Sequence, residues 1–506
     1  MVDISRQLSA ACELVAAGKY FCINRARQYG KTTTLRALAN QLKDRYLVFN
    51  VSFEGLGNEA FATDSSLVRA FVQSLKNAID FGVVANVPES IRQLVDAYLN
   101  QAERGEQTLQ DCGVLITKLC QAADKPMVLI IDEVDQAGNY ESFIHFLGLL
   151  RSKYLSREDV PTIHSVVLAG VYDIKNLKLK VRTEGEHQYN SPWNIAAPFE
   201  VDMSLSEAGI RGMLEEYEND HHVGMDTAEV AKLLREYTGG YPFLVSRLCQ
   251  LMDASGDWSR QGFLAAEKQL VGEADTLFDD FQKKLHEFPR LKDMLREVLY
   301  YGKSIDFSRF DPEMQLAARF GFVKDELGSL TVANRIFETW LYNYFVSETM
   351  LHDQLFSRAK ESKPMFITED GGLDMPKIMQ RFVDTFHEVY GDRGDRFLED
   401  EGRRYFMLYV KPIINGVGNY YVEAQTRDGL RTDLIIDYRG HRYVVEMKIW
   451  RGENYNTRGE AQLCEYLDYF QVNTGYLLSF SFNKNKTTGL KPPMHFGART
   501  IIEAVV

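Results

Sequence analysis

The sequence predicts an α/β chain in parts: a parallel sheet wrapped by helices over residues 1–200, a helical lid with a winged helix over 201–350, and, after a linker at 351–375, a second α/β domain over 376–506. Three observations carry this reading. Short apolar runs alternate with helical periodicity through the first part. The run Met127–Ile131 is unbroken, as a parallel strand covered on both faces requires. A polar stretch containing Lys363-Pro364 and Gly371-Gly372 then precedes a renewed pattern of helices and strands.

A chain of 506 residues allows about three domains, each large enough to bury its own core. With 45% hydrophobic residues, 25% charged and 13 prolines, the composition is that of a folded globular protein and excludes collagen, coiled coil and disorder. The six cysteines, at 12, 22, 112, 120, 249 and 464, include no C-x-x-C pair, so neither a disulfide framework nor a zinc site is expected. No basic leader opens the sequence and no apolar run reaches membrane-spanning length. The expected location is therefore cytoplasmic, with no membrane partner. Residues 364–506 carry 18 Lys/Arg against 20 Asp/Glu, so most of the net charge of −13 lies in the front part. Within the tail, residues 427–458 hold seven basic side chains against five acidic, a local excess that reads equally as a phosphate-facing surface or a solvated sheet edge.

Taken in order, Asp3 to about Gly18 has helical spacing, YFCIN reads as a buried strand, and RARQYGKTTT is a loop running into the helix TTTLRALANQLKD. Strands follow at 46–53 (YLVFNVSF), at KPMVLIIDEVD and at 164–171 (HSVVLAGV), with helices between the first two. Such alternation argues for a parallel sheet with right-handed crossovers. Residues 204–290 are helical, interrupted by the breaker TGGYP at 238–242. From Leu291 to about Glu348 the order is helix, helix, the hairpin GFVKDELGSLTVAN and the helix RIFETWLYNYF, the layout of a winged helix. The last domain reads as the helices MPKIMQRFVDTFHEVYG and DRFLEDEGRRYFMLYVKPII, three strands and the helix RGEAQLCEYLDYFQ.

The loop from Arg25 to Thr32 lies between a strand and a helix, where amides at the helix start can cradle phosphate oxygens. In this arrangement Gly30 shapes the loop, Lys31 reaches the β- and γ-phosphates of ATP, and Thr32 holds Mg²⁺ through its hydroxyl. A lone G-K-T is weak, and its context is the strand ending in Asp132-Glu133. Asp132 is placed to bind Mg²⁺, and Glu133 to polarise the attacking water. The full pattern wants glycine where this chain has Arg25, so the first turn of the loop must be made differently; Arg25 and Arg27 could themselves donate to phosphate.

The stretches INRARQYGKTTTLRAL, LIIDEVDQA, LAGVYDIKNLK and SPWNIAAPF resemble the bacterial AAA-ATPase-like family, often fused to a C-terminal nuclease-like domain. TGGYPFL resembles the G-x-P segment of STAND and archaeal-type ATPases. The resemblance implies a γ-phosphate-sensing residue near Ala169 to Tyr172, and makes Arg182 and Arg247 candidate arginine fingers or sensors. Because sites of this type often take an arginine from a neighbouring copy, a homo-oligomer is compatible with it.

In the tail, LRTDLIIDYRGHRYVVEMKIW (430–450) reads as two strands around a tight Arg439-Gly440 turn. Pairing Tyr438 with His441 puts Asp433 opposite Glu446, and Lys448 falls on the face of Glu446. Opposed carboxylates repel across a sheet, and a divalent metal with a nearby lysine would compensate; this is the logic of a metal-dependent phosphodiesterase. Taken alone, E-x-K on a strand favours an ordinary surface pair. With Gln462 and Tyr466 downstream in Q-x-x-x-Y spacing and Glu401 on a preceding helix, the order resembles the PD-(D/E)XK nuclease superfamily. That resemblance implies Asp433 and Glu446 as metal ligands, Lys448 as water activator, and Gln462 and Tyr466 as supports. Glu401 is a further metal candidate, with Glu399 a near-equivalent and Glu423 another.

Two functions are expected. The first is an ATP-controlled, Mg²⁺-dependent nuclease acting on nucleic acid, DNA in the first instance, with Mn²⁺ an alternative at the second site, in defence or mobile-element biology. The second is a STAND-like switch or scaffold that binds nucleic acid or a protein without cutting.

Overall fold

A computed structural model describes residues 3–102, 107–171, 192–199, 201–273, 275–301, 304–350, 354–390, 399–414, 418–423, 432–449, 463–464, 467, 472–481 and 487–506. The chain divides into two units, Met1–Leu205 with Arg319–Gly321, and Ser206–Ala318 with Phe322–Val506.

In the first unit the four expected runs form strands: β1 (Phe21–Asn24), β2 (Leu47–Ser52), β3 (Met127–Asp132) and β4 (Ser165–Gly170). All neighbours are parallel, in the order β1-β4-β3-β2. Every residue of β3 and β4 is buried. Alternation along β3 explains why the run must be apolar throughout. Val128 and Ile130 face one core with Leu35 and Leu38 of the helix Lys31–Leu42, while Leu129 and Ile131 face another with the helices Asp64–Asp80 and Glu141–Leu155. The SPWNIAAPF segment closes the outer edge of β1. Ala197 forms a parallel bridge with Phe21, the Trp193 indole donates to Cys22 Sγ at 3.0 Å, and the Phe199 ring stacks on Phe21.

The second unit begins with helices Glu207–His221, Thr227–Thr238, Pro242–Ser255, Arg260–Gly272 and Thr276–Glu287. The breaker TGGYP ends one helix and starts the next. Gly239 caps Thr227–Thr238 in the left-handed conformation, and Pro242 opens the following helix, where its missing N–H costs nothing. A Cβ on Gly239 would lie 3.2 Å from the Ala333 carbonyl oxygen, so the turn sits close against the next motif, in a left-handed conformation that favours glycine. That motif runs helix (Pro289–Tyr301), helix (Pro312–Arg319), the hairpin β5 (Val323–Glu326) and β6 (Ser329–Val332), and helix (Arg335–Met350). The stretch expected as a polar linker contains the helix Gln354–Ser362 and a helical turn Lys363–Phe366, with Ala359 and Phe366 buried.

The C-terminal sheet is mixed. Strands β7 (Gly418–Glu423), β8 (Thr432–Tyr438) and β9 (His441–Ile449) form an antiparallel meander. Then β10 (Thr474–Phe480) pairs parallel with β9 and with β13 (Arg499–Val505), and the short strands β11 (Gly489–Leu490) and β12 (Met494–Phe496) both pair with β13. The sequence reading stopped at three strands and a helix; the sheet continues through β10 to β13. The helix Glu399–Ile414 packs on the face carrying Phe480, so closely that a Cβ on Gly402 would come 2.4 Å from that ring. Leu463 and Leu467 pack against Val444 and Leu477 on the other face.

Candidate functional site: the phosphate loop and the buried end of β9

Because β1, β4 and β3 run parallel, their C-terminal ends meet along one sheet edge, where open α/β sheets place ligands. The loop leaving β1 there makes its turns with Gln28 (φ 57°) and Gly30 (φ 75°) in the left-handed region, whereas Arg25 is not among the positive-φ residues. The glycine-pattern position is therefore filled by a residue in ordinary backbone conformation, and the turn is displaced along the loop. Gly30 caps the helix Lys31–Leu42, whose first amides face the loop. Lys31 is buried, and its ammonium donates to the carbonyls of Arg25 (3.1 Å) and Ala26 (2.9 Å). Burial lowers its pKa, opposed by the carboxylates of Glu133, Asp135 and Asp132.

Thr32 Oγ1 donates to Asp132 Oδ2 at 2.7 Å, bridging a hundred residues of sequence. Asp132 is buried at the end of β3, and its other oxygen accepts from the Glu133 amide at 2.9 Å. Glu133 holds a left-handed conformation (φ 53°), uncommon for a residue with a side chain. Burial pushes its pKa up, with Lys31 pulling the other way. A raised carboxylate is a better base, which suits a group that orients and polarises water. A hydroxyl and a carboxylate are hard oxygen donors of the kind Mg²⁺ takes, so Thr32 and Asp132 fit that ion. Bound there, Mg²⁺ would neutralise phosphate charge. Gly30, Lys31, Thr32, Asp132 and Glu133 thus lie together at the C-terminal edge of the sheet.

Two features of this edge were not read from the sequence. Arg25 does not face the loop's interior: its guanidinium donates to the carbonyls of Asn24 (2.8 Å) and Val201 (2.6 Å). The sequence offered Arg25 as a phosphate donor; here backbone carbonyls hold its guanidinium. Asp135, in the turn after β3, accepts from the Val171 amide at 2.5 Å, and its carboxylate occupies the space where a Cβ on Gly170 would be. The only sequence signal was a second aspartate three residues after Asp132.

The family of AAA-like domains matches residues 4–343. The chain belongs to this family. Among solved structures, the AAA-like chain is similar to a Walker-type ATPase of Pyrococcus abyssi, at 14% identity and TM-score 0.49, covering 67% of this chain and 96% of that one. The Aeropyrum pernix ORC2 protein in ADPNP–ADP complexes aligns at 12% identity and TM-score 0.39, covering 69% and 96%. The ORC1 protein of the same organism, in complex with DNA, aligns at 12% and 0.31, covering 69% and 94%. No curated protein matches the chain. Among the described residues no helix is long and apolar enough to cross a membrane.

The tail's candidate residues lie on β8 and β9. Tyr438 pairs with His441 and Leu434 with Val445, so continuing the register by one residue puts Asp433 opposite Glu446, as expected. The Asp433 side chain lies outside the described residues. Glu446 is buried, and Lys448, two residues on, pairs with it at 3.2 Å. On β10, Ser479 stands beside Lys448 and donates to the buried Glu503 at 2.6 Å. Glu401 belongs to the first turn of Glu399–Ile414, the helix on the Phe480 side, and Glu423 ends β7. Gln462, Tyr466 and Arg182 lie outside the described residues. Arg247 is held by both oxygens of Glu273, at 2.7 and 3.0 Å. Among the described residues no group of three or more His, Cys, Asp or Glu side chains is arranged to hold a metal.

Proposed function

We propose that the AAA-like domain binds and hydrolyses ATP and that this controls a metal-dependent nuclease built on the C-terminal sheet, acting on DNA. Lys31 and the helix amides would hold the phosphates, Thr32 and Asp132 the Mg²⁺, and Glu133 the attacking water. In the tail, Asp433 and Glu446 would hold Mg²⁺ or Mn²⁺, and Lys448 would position the water that attacks phosphorus. Glu401 would be a further ligand to that metal, and Gln462 and Tyr466 would support the site.

One observation carries the nuclease half of this reading: a buried Glu446 pairs with a largely, not fully, buried Lys448 on the central strand of a mixed sheet, with Asp433 opposite by continued register. An ordinary E-x-K pair sits on an exposed hairpin, where it is nearly free to form. Withdrawing both charges from water costs several kcal/mol per ion, so a burial of this kind asks for a function. The same ion pair supports a second reading, in which Lys448 neutralises Glu446 in a fold that binds nucleic acid or a protein without cutting.

The test is cleavage of linear, circular and single-stranded DNA by the full chain, with Mg²⁺ or Mn²⁺, with and without ATP, for wild type, Lys31→Ala and Lys448→Ala. The expected result is a loss of cleavage of at least about a hundredfold in Lys448→Ala, given what a single electrostatic group contributes, while Lys31→Ala alters only the response to ATP. Equal DNA binding by all three with no cleavage would favour the switch.

A further inference from the structure

We infer that Arg25 is a positioning residue that ties the phosphate loop to the segment leading out of the first unit, so that the loop's response to nucleotide is passed to residues 196–205. This rests on the reading of the loop as a nucleotide site.

Four hydrogen bonds meet at this residue. Its amide donates to the last carbonyl of β4, Gly170, at 3.1 Å. Its own carbonyl accepts from the Lys31 ammonium at 3.1 Å. Its guanidinium donates to Val201 at 2.6 Å and to Asn24 at 2.8 Å. The side chain is partly buried, and burial lowers its pKa against the pull of Tyr29 and Asp202. A guanidinium withdrawn from water keeps its place only where its donors find acceptors, and the two carbonyls each take one of its terminal nitrogens.

The segment it holds is well anchored. Ala197 donates its amide to the Tyr20 carbonyl at 2.8 Å, and Phe199 and Met203 are buried among Phe21, Ile23 and Leu35. Gln7 Nε2 donates to the Asp202 carbonyl at 3.4 Å. Three residues beyond Asp202 the first unit ends, at Leu205. A glycine at position 25, as the usual loop pattern has it, would remove this hydrogen-bonded link between the loop and the segment.

The Lys31 contact gives the link its sensitivity. A polyphosphate entering the loop competes for the Lys31 ammonium and draws it from the Arg25 carbonyl. The residue that loses this contact is the one whose side chain grips Val201. A change at the phosphates is thereby delivered to the exit segment through one residue, with no contact from Arg25 to the nucleotide.

The test measures affinity for ATPγS by calorimetry, and amide hydrogen exchange of peptides covering 196–205 with and without ATPγS, in full-length wild type, Arg25→Ala, Arg25→Gly and Arg25→Lys. The expected result is affinity within about threefold of wild type in all variants, and a nucleotide-dependent change in exchange that is present in wild type, lost in the Ala and Gly variants and partly restored by Lys, which can reach one carbonyl. Loss of affinity beyond tenfold in Arg25→Lys would make Arg25 a phosphate ligand and overturn the proposal. Nucleotide binding by wild type with no exchange response at 196–205 would overturn it as well. Absence of nucleotide binding in wild type would instead remove the nucleotide reading of the loop, and the proposal with it.

Discussion

At the scale of single residues, the nucleotide edge is set by contacts that leave almost no slack. Gly170 is the clearest case, since a Cβ there would lie 2.8 Å from the Asp135 carboxylate. Gly170→Ala must push that carboxylate off the Val171 amide, an overpacking that costs about 1–3 kcal/mol. The expected outcome is a lower melting temperature of the full chain and slower ATP turnover, measured by thermal scanning and phosphate release. An unchanged rate would show that Asp135 yields without disturbing the end of β4. The pattern GKT and the pair Asp132-Glu133 were legible because one opens the helix after the β1 loop and the other ends β3, where local geometry alone aims the group. The partners of Asp135 and Arg25 were not legible, because Val171 and Val201 lie 36 and 176 residues away in sequence.

At the scale of elements, the β8-β9 hairpin was read almost completely. Arg439 and Gly440 both have positive φ, 50° and 84°, which a two-residue turn of the I′ type requires. That turn sets the register, and the register sets which residue faces Glu446. Gly440→Val places a β-branched residue in left-handed backbone, at a cost of about 1–3 kcal/mol. The expected outcome is a fall of several degrees in melting temperature, with a further loss of any activity that depends on Glu446; Gly440→Asn, which tolerates this conformation, should retain both. An equal loss in both variants would mean that the turn is held for another reason. Strand β10 escaped notice because TGYLLSF has neither alternation nor a hairpin partner nearby. Its pairing with β9 and β13 is parallel, so the segments that stabilise it are distant in sequence.

At the scale of the whole molecule, the second unit is joined internally by a buried polar network. Asp437 of β8 accepts from Arg442 at 2.9 and 3.2 Å and from the Tyr237 hydroxyl at 3.3 Å, while Lys411 donates to Asn343 Oδ1. Near them Glu267 is fully buried; burial, with Asp437 nearby, raises its pKa to about 8, against Thr339, Lys411 and Lys268. Burial lowers Lys411 to about 8. The signs then follow. Below pH 4.5 Glu267 is protonated in both states and costs nothing through ionisation; between 4.5 and about 8 the unfolded chain releases a proton that the folded chain keeps, so stability falls as pH rises. Lys411 acts in a separate window, its contribution complete above pH 10.5 and lost as pH falls through about 8. Glu267→Gln should therefore flatten the decline from pH 5 to 8 by up to about 1.4 kcal/mol per pH unit, leaving the variant more stable than wild type near pH 8. Thermal melts of both chains across that range are the check, and parallel curves would rule Glu267 out as the titrating group.

The sequence by itself determined the elements whose cause is local: the apolar runs that must be buried strands, the loop and acid pair at their ends, the helix breaks at TGGYP, and the hairpin that aligns Asp433 with Glu446. Only the tertiary structure decided which ends meet. The order β1-β4-β3-β2, the seat of Arg25 on Val201, the grip of Asp135 on Val171 and the burial of Glu267 beside Lys411 all join residues far apart in the chain. Periodicity and turn chemistry act over a few residues, whereas these contacts depend on how strands and helices pack once formed, and no local pattern encodes the partner.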